Sequence, residues 1–159
     1  MCYSRSLGLT VAFVATAAVA EDTALSGHLE MSSTSRVKTS AVGVAYDREF
    51  RPRLDVTITL AANQTAIVEV GLQGQRCRMT GVYESPAVIR LDAGSQCPQV
   101  LELDHGVRAE LEPVLSAGTI VRNGSVTTLR TEWDARGKLK RGFLTLPVTG
   151  TISTVATSS

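Results

Sequence analysis

Apolar and polar residues alternate along most of the chain, and the alternation has the period of a strand. Leu54, Val56, Ile58 and Leu60 are separated by Asp55, Thr57 and Thr59. Ala66, Val68, Val70 and Leu72 repeat the pattern after the polar turn Ala62-Asn63-Gln64. On a pleated strand each set falls on one face, whereas a helix would scatter it around its axis. Val107, Ala109 and Leu111, spaced by Arg108 and Glu110, follow the same rule. Turn residues punctuate these runs. Asn123-Gly124 predicts a two-residue hairpin of type I′, whose central residues both need positive φ. Asp134-Ala135-Arg136-Gly137 reads as a type I turn with glycine in the bulge position. Asp104-His105-Gly106 joins two further runs, and Glu84-Ser85-Pro86 breaks another pair. About ten short strands spaced roughly 8–12 residues apart, with little helix, predict an all-β fold: an antiparallel β-sandwich or a closed β-barrel. Residues 21–35 and 154–159 read as weakly specified ends, the latter a frayed tail.

The first twenty residues have a different character. Arg5 supplies one positive charge, residues 7–20 are almost wholly apolar or small, and Ala18-Val19-Ala20 precedes the acidic pair Glu21-Asp22. This is the pattern of a secretory signal peptide spanning residues 1–20, followed by a single domain over 21–159. The expected location is therefore outside the cytoplasm, periplasmic or extracellular. Arg5 is the only charge in that leader, so the 16 basic side chains of the chain fall to 15 against 15 acids. A neutral domain has no global field to gather nucleic acid or an anionic membrane. Cys2 leaves with the leader, and the remaining pair, Cys77 and Cys97, is expected to form a disulfide in an oxidising compartment.

Candidate chemistry is sparse. Aromatic residues make up 4% of the chain, too few for the aromatic girdles of a membrane-spanning barrel or for a sugar-stacking platform. The two histidines, His28 and His105, would form a metal site only if the fold brought them to a carboxylate such as Glu30 or Asp104. Two unrelated surface histidines is the simpler reading, and no metal or cofactor is expected. Glu102 with Asp104, and Glu110 with Glu112, each share a strand face as a hydrolase pair would. Ordinary cross-strand pairing with Arg108 and its neighbours accounts for them as well. Asn63-Gln64-Thr65 and Asn123-Gly124-Ser125 match the glycosylation acceptor pattern, but these residues also make good turns.

Two basic clusters remain. One is Arg48, Arg51 and Arg53 around Phe50; the other is Arg136, Lys138, Lys140 and Arg141 beside Trp133. Cations commonly protect sheet edges, yet the second cluster also has an aromatic and an expected turn tip, the ingredients of a binding rim. The sequence therefore reads first as an exported, non-enzymatic binding or interaction module that contacts a protein or glycan. A small barrel carrying an apolar ligand comes next, and an enzyme with a dispersed carboxylate site comes third.

Overall fold

A computed structural model of the chain describes residues 25–72, 74–102 and 106–158. The expected leader 1–20, Asp104, His105 and Ser159 lie outside the described residues. Alternation places one face of each strand of the barrel wall inward. The strands are β1 (Gly27–Ala41), β2 (Val44–Phe50), β3 (Arg53–Leu60), β4 (Thr65–Leu72) and β5 (Gln75–Ser85). They continue with β6 (Val88–Leu91), β7 (Gln99–Glu102), β8 (Arg108–Asn123), β9 (Val126–Arg141) and β10 (Leu144–Ser158). All pairings are antiparallel, and there is no α-helix among the described residues. Eight strands close into a barrel in the order β10-β9-β8-β6-β5-β4-β3-β1, with β1 returning to β10. The two extra strands lengthen the long ones: β2 pairs the second half of β1, and β7 pairs the start of β8. The fold class is that of a barrel, and four of its strands are 15 or 16 residues long rather than short.

The inward positions form the core. Leu54, Val56 and Ile58 are buried, as are Ala66 and Val68, matching the alternation in the sequence. Along β8 the inward set is Ala109, Leu111, Pro113 and Leu115, and then shifts to Gly118 and Ile120. A bulge between Leu115 and Ala117 absorbs the change of parity. One end of the barrel is filled by large side chains, including Leu25, Met31, Ile89, Leu115 and Ile120, all nearly or fully buried. Leu25 lies just ahead of β1 and caps that end.

Three local expectations are overturned. Residues 134–137 make no turn, because they lie inside β9, with Ala135 opposite Pro113 and Gly150. Glycine is needed at position 137 because any Cβ there would run into the backbone of Glu110 on β8. The supposed frayed tail is strand as far as Ser158: β10 pairs β1 from Met31↔Ser158 to Ser40↔Thr149, which closes the barrel. Residues 27–35 are strand as well: Met31 to Ser35 pair β10, and Gly27 to Ser32 pair β3. The β8–β9 turn is Gly124-Ser125, one position later than expected, since Asn123 pairs with Val126. Gly124 alone has positive φ there, 61°, which fits a II′ rather than an I′ pattern.

The I′ conformation occurs instead at the β1–β2 hairpin, where Val42 and Gly43 have φ of 49° and 79°. A β-branched residue in this region is strained. Val42→Asn is expected to raise stability by about 1 kcal/mol. Urea unfolding of the two proteins checks this; an unchanged or lower midpoint would show that Val42 is not strained.

Candidate functional site

The other half of the barrel is hollow. The inward positions there carry short side chains: Ser35 on β1, Thr131 on β9, Thr154 on β10 and Val70 on β4. These are too short to fill the interior as the large side chains of the other end do. They leave a cavity of about 320 Å³. Its deep wall is Val37, Leu54, Met79, Leu129, Trp133 and Ile152. Its exposed rim carries Gln75, Arg76, Pro98, Val100 and Glu102. The hydroxyls inside are already engaged. Ser35 Oγ and Thr154 Oγ1 are 2.8 Å apart, and the Trp133 indole N–H donates to Thr131 Oγ1 at 2.9 Å. The interior therefore presents carbon surface, with its polar atoms tied to one another.

One stretch of wall is closed differently from the rest. β6 pairs β5 only from Gly81 to Ser85, so the first half of β5 has no strand on that side. Segment 92–98 crosses the interval. Gly94 N–H donates to Leu115 O and Cys97 N–H to Pro113 O, which fastens the segment to β8. On the β5 side Asp92 N–H donates to Thr80 O, and the Cys77–Cys97 disulfide makes the second attachment, with Cα atoms 5.3 Å apart. The cysteine pairing expected from the sequence is present, and both cysteines line the cavity. The disulfide is compatible with an exported protein.

The cationic site read from the sequence is divided between two faces. Trp133 is buried and faces the cavity, whereas Arg136 and Lys138 are exposed on the outer face of β9 and Lys140, on that face, is half-buried. Arg141 ends the strand beside the turn. Lys140 Nζ lies 2.7 Å from Glu110 Oε2, and Arg136 stands opposite Glu112. The carboxylates are likewise occupied, with Glu102 3.7 Å from Arg108. Hydrogen bonding to Lys140 holds the Glu110 carboxyl below its ordinary range, the reverse of what a general acid needs.

In the first basic cluster, Arg51 pairs with Glu49 at 3.0 Å, and the Arg48 guanidinium lies 5.9 Å from the centroid of the Phe50 ring. Phe50 itself turns to the cavity. His28, Glu30 and Asp55 bring three possible metal-ligand atoms within 4.8 Å of one another, all on exposed surface.

No family model and no curated protein matches the chain. Two solved structures are similar to it. One is the ywiB protein from Bacillus subtilis, 11% identical, covering 83% of this chain and 92% of that one with a TM-score of 0.35. The other is a protein from Nitrosomonas europaea assigned as AttH, also 11% identical, with a TM-score of 0.28. That match covers 82% of this chain and 52% of the other. Among the described residues no helix is long and apolar enough to cross a membrane.

Two outcomes follow from this geometry. Replacing both cysteines by alanine is expected to lower stability by about 3 kcal/mol, the loop-entropy value for a closed loop of this size. Equal denaturant midpoints would show that segment 92–98 is held without the bond. Glu110, with its folded-state pKa lowered, adds stability above its unfolded pKa and loses it as pH falls through the lowered value. Lys140→Met should bring the Glu110 pKa back up towards the ordinary 4.5, as read by a carboxyl NMR titration.

Proposed function

We propose that this chain is an exported, non-enzymatic β-barrel that binds a small, largely apolar molecule in its interior. The observation that carries this reading is the hollow half of the barrel, about 320 Å³ walled by Val37, Leu54, Met79 and Ile152 and open at a polar rim. That volume is at the lower end of the range for small-molecule sites, which are concave and mostly apolar with a few polar groups. Burial of an apolar ligand there contributes roughly 25 cal/mol per Å² of apolar surface removed from water. Gln75, Arg76 and Gln99 at the rim suit a ligand with one polar end left at the mouth.

The outer surface supports the same reading. Lys38, Arg78, Arg130, Glu132 and Asp134 are all exposed on outward strand positions, so the apolar face of this barrel is its inside. A lipid-facing barrel has the opposite polarity. The leader-like first twenty residues and the disulfide support export.

Titration with a fluorescent apolar probe tests the proposal, with Trp133, the only tryptophan of the chain, as an internal reporter on the cavity wall. Saturable binding with a change in tryptophan emission is expected. Val70→Phe, which fills the hollow, should weaken binding by about tenfold or more, as displaced pocket volume does elsewhere. Absence of probe uptake, together with native mass spectra showing no co-purified small molecule, would reject the reading.

A further inference from the structure

The three most exposed large apolar side chains among the described residues are Phe143, Val42 and Leu144, at 103%, 75% and 50%. All three lie at one end of the barrel. Val42 is in the β1–β2 turn, and Phe143 is the second residue of the two-residue β9–β10 turn that the Arg141↔Leu144 pair closes. Register puts both turns at the cavity's open end. Glu102 of the rim pairs with Arg108, and Arg108 pairs with Lys140 just below the β9–β10 turn.

The charge carried by the hairpin itself has one sign. Residues 135–151 contain Arg136, Lys138, Lys140 and Arg141 and no acid. Lys140 is engaged by Glu110, and Arg136 faces Glu112. Lys138 stands opposite the same Glu110 on β8 at longer range, and among the described residues no ion pair holds Arg141. Outward positions of β10 opposite these cations are Thr145, Pro147 and Thr149, which add no negative charge.

We propose that this hairpin tip docks the protein on an anionic phospholipid bilayer, with Phe143 entering the interface and Lys138 and Arg141 meeting the headgroups. A protein interface of ordinary size needs a broad, shape-matched core around its aromatic anchors. Phe143 instead projects from a two-residue turn, a point rather than a face. A bilayer requires no matching shape: it accepts an apolar tip at the acyl boundary and attracts nearby cations through its surface potential. Docking at this end would bring the cavity mouth towards the membrane, but it needs no ligand in the cavity. The tip and the interior reading therefore stand or fall separately.

Co-sedimentation of the purified protein with vesicles is the test, comparing phosphatidylcholine alone with phosphatidylcholine mixed with phosphatidylglycerol. Binding to the mixed vesicles, weakened by added salt, is expected. Phe143→Ser and the double variant K138E/R141E should each bind at least about tenfold more weakly, the scale set by the loss of two charge contacts. Circular dichroism and probe uptake by the cavity should remain as in the parent, because these side chains lie outside the core. Equal binding to both vesicle types, no binding to the mixed vesicles, or undiminished binding by Phe143→Ser would overturn the proposal. Indifference to vesicles alongside a Phe143-dependent pull-down of a protein would overturn it in favour of a protein partner.

Discussion

The barrel depends on how its wall is closed between β5 and β8. Elsewhere the closure is a backbone ladder, such as the ten pairs between β1 and β10. At this seam the four-residue β6 makes three pairs with β8, and below it the Cys77–Cys97 bond joins segment 92–98 to β5. A ladder spreads its energy over many modest hydrogen bonds. The seam has few such bonds and adds one covalent link, whose main effect is to remove freedom from the unfolded chain. This link also borders the cavity, so the oxidation state that completes the wall and the shape of the interior belong to the same element. The disulfide that completes this part of the wall therefore also shapes the hollow.

Where the barrel is solid and where it is hollow follows from side-chain length at inward positions. Leu25, Met31, Ile89, Leu115 and Ile120 fill their end of the barrel as part of one buried core cluster. Ser35, Thr131 and Thr154 occupy equivalent inward positions in the other half and are too short to do so. Polar residues inside a barrel would ordinarily carry a desolvation cost. Here Ser35 bonds Thr154, and Thr131 takes the Trp133 indole hydrogen. Paired in this way, they keep the space open without presenting unsatisfied groups to an apolar occupant.

Features carried by neighbouring residues were readable from the sequence. The alternation of Leu54, Val56 and Ile58 set strand, face and burial together, and the even cysteine pair set the bond. Features fixed by distant partners were not. Asp134-Ala135-Arg136-Gly137 has the composition of a turn, but Gly137 is there so that the β8 backbone can approach, which no local window reveals. Thr154 to Ser158 is polar enough to resemble a tail until Met31 to Ser35 lies alongside it. The cavity was least legible of all. It is the space left by Ser35, Thr154 and Thr131, side by side on three neighbouring strands and too short to fill the interior, and only the closed barrel brings these residues together.

The separation of Trp133 from its cationic neighbours has a further consequence. In the sequence Trp133 sits three residues from Arg136 and suggests one rim, but odd positions of β9 face inward and even ones outward. The strand therefore contributes to two surfaces at once: a wall that meets whatever enters the barrel, and an outer stripe that meets whatever the barrel rests against. The two surfaces share a backbone but no side chain. Substitutions at even positions can change the outer charge without moving the cavity wall, and changes at Thr131 or Trp133 can reshape the interior while the tip stays intact. The interior and the outer surface can therefore change independently, because the pleat keeps the two sets of residues on opposite sides of one strand.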